Sequence, residues 1–221
     1  MTAAAAGDLA PDARESLLRA AEKLFAEVGI GAASLRRISV AAGQRNNSAA
    51  QYHFGSKAGL VSAIVQARLG PINARRADLL AAADADGRGD DVAALVEALV
   101  VPLVEFTIDR PDGSSYARFL AASYGDPQWS EVALESEHGA VFREWRRRLE
   151  GALAHLPQPL RRLRVDRAVI GVITDVARWE GGRRRRGVGR SEMIADLVAW
   201  TSAGLLAAAP GRGPATTGAP A

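Results

Sequence analysis

Apolar residues recur along this chain at intervals of three and four, and nowhere do they alternate over a bounded run. That spacing is the mark of amphipathic helices, and the missing period of two leaves nothing from which to build a sheet. The sequence therefore predicts an all-α fold. Leu17, Leu18, Ala21, Leu24, Phe25 and Val28 form one stripe of a first helix over about 11–28, which Gly29 and Gly31 end. Ser34 caps a second helix with Leu35, Ile38 and Ala42 inward, and Gly43 stops it after about two turns. A polar turn, Gln44-Arg45-Asn46-Asn47, leads into Ser48–Phe54, too short to hold a helix without packing. Ser56 caps a fourth helix, from Lys57 to about Leu69, which buries Leu60, Val61, Ile64 and Val65.

Gly70-Pro71 reads as a joint, with Pro71 at the first position of the next helix, where its missing N–H costs nothing. Helical spacing then predicts helices over 72–84, 90–109, 114–124, 127–155, 159–182 and 191–208. Glycine- and proline-bearing loops separate most of them, and Pro102 is expected to kink the second. The organisation that follows is a disordered arm over 1–10 and a small helical head over 11–70. A larger helical body over 71–208 and a disordered, apolar-poor tail over 209–221 complete it.

Composition narrows the function. Apolar residues make 48% and charged residues 24% of the chain, the balance of an ordinary globular protein. No apolar run reaches the length of a membrane span, and Met1–Pro11 lacks the basic and apolar regions of a signal peptide. Cysteine is absent, which excludes disulfides and thiolate zinc sites and fits a cytoplasmic protein. Only three histidines are present and none stands at HExxH spacing, so neither a metal, nor a cofactor, nor a catalytic residue is indicated.

Charge is more informative by position than in sum. The net is +3, yet no Asp or Glu occurs from Val28 to Ala77, a stretch holding Arg36, Arg37, Arg45, Lys57, Arg68, Arg75 and Arg76. The remainder has 21 basic against 25 acidic residues, a net of −4. A local positive field of this kind attracts a phosphate backbone. It coincides with two short helices around a polar turn, the helix-turn-helix pattern, whose second helix enters the major groove of duplex DNA. The helix, preceded by Arg45, Asn46 and Asn47 and holding Ser48 and Gln51, carries polar side chains suited to base edges, since Arg can pair with guanine and Asn or Gln with adenine. Ala49 and Ala50 either touch a thymine methyl or permit close approach. Tyr52 and His53 lie on the same helix.

Residues 14–69 resemble the DNA-binding head of the TetR/AcrR family. The likeness lies in the LxxAAxxLFAExG helix, in SLRRISVAAG, and in the run YHFGSKAGL into the fourth helix. The resemblance implies a three-helix DNA-binding head on a larger helical domain that binds a small-molecule effector and dimerises. It places Arg36 and Arg37 near the DNA backbone and Gln51, Tyr52 and His53 on the recognition helix. Lys57 matches the family's phosphate-contacting lysine. Gly43–Phe54 is one residue longer than the common spacing, which leaves two registers open for the base-reading side chains. Arg37 stands where a capping-box acid is usual.

The same resemblance implies a homodimer. Met193, Ile194, Leu197, Val198, Thr201, Gly204 and Leu205, with Ala168, Val169, Val172, Ile173, Val176 and Trp179, form broad stripes on the last two helices. They suit either a four-helix dimer interface or an internal core. Phe106, Tyr116, Phe119, Trp129, Phe142, Trp145 and Trp179, with Arg118 for polarity, are effector-pocket candidates, though helical spacing of this kind is more often core than pocket. Arg183–Arg186 reads as a solvated loop. The expected function is a transcriptional regulator: a repressor released from a palindromic operator by an effector or, alternatively, an architectural DNA-binding protein without one.

Overall fold

The computed structural model describes residues 12–109, 113–137, 139–182 and 187–209, with the side chains of 133–137 set aside. The expected arm over 1–10, nearly all of the expected tail and the Arg183–Arg186 loop lie outside the described residues. Ten helices and no strand are present among them: α1 Ala13–Val28, α2 Leu35–Ala41, α3 Ala49–Phe54, α4 Lys57–Ala85 and α5 Val92–Thr107, then α6 Tyr116–Tyr124, α7 Pro127–Glu137, α8 Ala140–Ala152, α9 Gln158–Glu180 and α10 Arg190–Leu206.

The head closes around one apolar cluster. Leu17, Leu18 and Phe25 of α1, Ile38 of α2, Ala50 of α3 and Leu60 and Ile64 of α4 have no exposed surface. The caps read from the sequence are present. Ser34 Oγ accepts the Arg37 N–H at 3.2 Å, and Ser56 Oγ accepts that of Gly59 at 3.0 Å. Gly43, at φ +69°, ends α2 in a Schellman turn, its own N–H donating to Val40 and that of Gln44 to Ser39.

Two helix boundaries differ from the expectation. The fourth helix does not stop at Leu69, because α4 continues through Gly70 and Pro71 to Ala85. Its inward stripe, Val65, Leu69, Ile72, Arg76, Leu80 and Ala83, keeps helical phase on both sides of the proline. Burial of that stripe against α5 outweighs the roughly 3 kcal/mol that an interior proline costs. The predicted 127–155 helix is two helices, α7 and α8, with Gly139 in extended conformation at the N-cap of α8. A Cβ at Gly139 would come within 3.1 Å of the Asn73 side chain, so the break lets the chain pass close to α4.

Pro102 lies inside α5 and cannot donate to the carbonyl of Ala98, four residues earlier. Arg76 of α4 fills that role. Its Nε donates to the Ala98 oxygen at 3.1 Å, and its guanidinium lies over Phe142 and Trp145, 5.2 and 5.9 Å from the ring centres. The broad stripes of the last two helices mostly face inward. Met193, Leu197, Thr201 and Leu205 are buried, as are Val169, Val172, Ile173 and Val176, because α5 and α6 lie against them. These eight pack in the internal core, while Gly204 of the same stripe is exposed.

Candidate nucleic-acid interface

Short helices need tertiary anchors, and α3 has one. Ser39, midway along α2, donates its hydroxyl to the Leu35 carbonyl at 3.1 Å and accepts the Ala50 N–H at 3.0 Å. This single side chain ties the first turn of α3 to α2. Ala49 and Ala50 are 8% and 0% exposed, so they serve close helix packing and present no surface to a base. Ahead of α3 the Asn46 carboxamide accepts the Ser48 N–H at 2.9 Å and the Asn46 carbonyl accepts that of Ala49 at 3.0 Å, which shapes the turn.

This packing turns one polar surface outward. Arg36, Arg37, Arg45, Asn46, Asn47, Ser48, Gln51, Tyr52 and His53 are all exposed. Tyr52 is 84% exposed and stands edge-on to His53, with ring centres 5.3 Å apart. His53 thus lies on the open surface, while Phe54 is half-buried against the core beneath the Arg14 guanidinium. The Gln51 side-chain amide donates to the carbonyl of Gly55 at the end of α3.

Lys57 sits differently from the other sequence-predicted contacts. Its ammonium donates to the carbonyls of Ile30 and Gly31 at 2.8 and 2.9 Å and lies 5.9 Å from the centre of the Trp129 ring. It braces the loop after α1 and reaches α7. The positive field is also narrower than the acid-free stretch suggests. Arg68 and Arg76 are buried, and Arg75 pairs with Glu105 at 2.8 Å. Ion pairing to Glu105 holds Arg75 more firmly protonated. Arg36, Arg37 and Arg45 are exposed, as is the paired Arg75, and Lys57 is half-buried.

The pocket candidates do not all line one cavity. Tyr116 and Phe142 line a small space of about 30 Å³ with Arg76, Leu99, Leu120 and Ile173. Phe106 stands edge-on to Tyr116, and Phe119 stacks on Phe25 of the head, centres 6.0 Å apart. Trp145 is wholly buried and donates its indole N–H to Leu95 at 2.7 Å. Trp129 faces Lys57, and Trp179 lines an open groove between α9 and α10. Arg118 pairs with Glu180, whose carboxyl group burial pushes above the ordinary range.

The sequence reading missed Ser39 and Glu22 and counted Arg68 only as part of the positive field. Arg68 Nε donates to Glu22 at 2.9 Å, and its guanidinium reaches Glu15 at 2.9 Å, joining α4 to α1. The signal was a charged residue at core spacing, since Arg68 falls in phase with Val61, Ile64, Val65 and Ile72.

Two sequence profiles match the chain. One, described as bacterial regulatory proteins of the tetR family, covers residues 17–64, and the other, a tetracyclin repressor-like C-terminal domain, covers 97–204. Among solved structures the chain is similar to NalD, the secondary repressor of the MexAB-OprM multidrug efflux pump in Pseudomonas aeruginosa. Identity is 20%, over 87% of this chain and 96% of that one, with a TM-score of 0.56. It is also similar to the fatty acid degradation regulator FadR from Bacillus halodurans, at 16% identity over 88% and 99% of the two chains, again with a TM-score of 0.56. Both likenesses concern the fold. No curated protein matches the chain.

Proposed function

The chain belongs to the tetR family of transcriptional regulators, which bind DNA through the N-terminal helix-turn-helix, and from that premise we propose that it is a homodimeric repressor released from a palindromic operator by a small molecule. The observation that carries this reading is the outward surface of α2 and α3. Nine polar or aromatic side chains face solvent there, on a segment without a single carboxylate. Arg36 and Arg37 contact phosphates, and Arg45, Asn47, Ser48 and Gln51 read base edges. Asn46 shapes the turn, and Tyr52 and His53 hold the flanking backbone. Residues 11–70 then act as the DNA-binding domain and 71–208 as the regulatory one, with α4 common to both.

Dimerisation places two recognition helices about 34–36 Å apart, one turn of duplex. The apolar residues left outward on the last two helices suit that contact. Leu163 and Ile170 of α9 are each 43% exposed, and Trp200 and Leu206 of α10 are 70% and 51% exposed. The effector enters the small space around Arg76. Ligand pockets ordinarily hold about 300–1,000 Å³, so binding requires the helices around this space to part, and the buried guanidinium favours a ligand with an acidic group and an apolar body.

A gel shift with the region upstream of the chain's own coding sequence tests the reading. Specific retardation at moderate salt that moves the protein to two symmetric half-sites is expected; its absence there and at other genomic sites would sink it. The second reading, regulation without an effector, draws support from the closeness of packing around Arg76. A thermal-shift screen of small apolar carboxylic acids separates the two: a stabilising acid that also weakens DNA binding favours release by effector.

A further inference from the structure

We propose that Lys57 is a positioning residue of the DNA-binding head: its charge holds the turn between α1 and α2 and does not go to a DNA phosphate. The resemblance drawn from the sequence assigns this lysine to the backbone of the duplex, but its ammonium is already engaged. An ammonium group carries three N–H donors. Two of them go to the carbonyls of Ile30 and Gly31, at 2.8 and 2.9 Å. The group also lies 5.9 Å from the centre of the Trp129 ring, within reach of a cation–π contact. That ring is 7% exposed, and its indole N–H meets no acceptor among the described residues, so packing rather than a hydrogen bond fixes it there.

Two helix dipoles favour this seat. Lys57 is the first residue of α4, next to the positive end of that helix, where a cation is disfavoured. The Ile30 and Gly31 carbonyls lie just beyond the negative end of α1, which has no basic residue in its last turn. Lys57 supplies that cation from 27 and 26 positions away. A move to a phosphate would strip both carbonyls of a charged donor, and such bonds are roughly twice as strong as neutral ones. What the brace secures is the entry to α2. Ile30 and Ala33 are 2% and 0% exposed, and Ser34 caps α2 directly after them. Ser39 of α2 then holds the Ala50 N–H of α3. Lys57 thus fixes how α2 and α3 are presented to DNA, whereas the exposed Arg36, Arg37 and Arg45 supply the charge.

This inference rests on the reading that α2 and α3 face DNA, and its test has one arm that needs no DNA. In the first arm the probe is a mixed-sequence duplex, with affinity measured over a salt series. Lys57→Met should leave the slope of log affinity against log salt at the wild-type value, and Arg36→Ala should lower it by about one. A slope lowered by about one in Lys57→Met as well marks a phosphate contact and overturns the proposal. In the second arm amide hydrogen exchange is followed in the full chain without DNA. Exchange across α2 and α3 in Lys57→Met should rise at least about fivefold over any change in α9, the factor carried by the loss of one hydrogen bond. Head amides that keep their wild-type rates, or that speed up no more than those of α9, also overturn it. If the wild type binds no duplex, the regulator reading fails and the exchange arm alone decides the brace. If Lys57→Met does not fold, Lys57→Gln, whose carboxamide still donates to one carbonyl, carries the same comparisons.

Discussion

The exchange of partners at Pro102 gives a test that isolates one hydrogen bond. Arg76→Met removes the N–H that Ala98's buried carbonyl accepts at 3.1 Å, together with the guanidinium stacked on Phe142 and Trp145. The stranded carbonyl alone costs about 1–3 kcal/mol. Pro102→Ala restores a backbone N–H four residues beyond Ala98, where an ordinary helix places it. By itself this change should stabilise, since an interior proline costs about 3 kcal/mol relative to alanine, less about 0.4–1 kcal/mol for the freer unfolded chain. Arg76→Met should therefore cost about 1–2 kcal/mol less in the Pro102→Ala background than in the wild type, because the carbonyl is no longer stranded. Stacking and all other losses at Arg76 cancel in the cycle. Urea unfolding followed by helical circular dichroism at one fixed protein concentration measures it, and a midpoint shift of about 2–4 °C per kcal/mol is expected in thermal melts. Equal costs in the two backgrounds, within about 0.5 kcal/mol, would refute the idea that Arg76 stands in for the missing N–H.

Ser39→Ala should destabilise by about 1–3 kcal/mol by leaving the buried Ala50 N–H without an acceptor, and weaken DNA binding by more than the unfolded fraction explains. Comparison of binding curves with the folded fraction from circular dichroism checks this. Gln51→Ala, on an exposed site, should leave stability unchanged while costing about 1–3 kcal/mol at one base pair; Arg36→Ala should instead weaken all sequences alike and lower the salt slope by about one. Competition gel shifts across a salt series distinguish the two. Burial raises the Glu180 pKa, so between the ordinary carboxylate value of about 4.3 and the raised one the folded protein holds the extra proton. Its contribution to stability then grows as pH falls through the raised value and is complete below the ordinary one. Glu180→Gln should flatten that part of the stability–pH curve, and an unchanged curve would count against it.

Much of the fold is local, and the sequence by itself determined that part. Apolar spacing defined the helices, Ser34 and Ser56 their caps, and Gly43 at φ +69° the break that makes the turn. These depend on backbone sterics and on neighbours within a few residues, which the chain carries wherever it goes. The exposed character of Arg36, Arg45, Gln51 and Tyr52 was legible for the same reason, since no apolar stripe claims those positions. Tertiary structure decided the rest. Proline at 71 stops a helix unless distant side chains reward its continuation, and only the apposed α5 supplies that reward. Arg68 and Arg76 look like the basic surface residues around them until α1 brings Glu22 and α5 brings the Ala98 carbonyl. Lys57 likewise turned inward because the chain folds the Ile30 and Gly31 carbonyls back onto it across more than 25 positions of sequence. Burying a charge is favourable only beside its partner, and which residues become partners is a property of the packed chain.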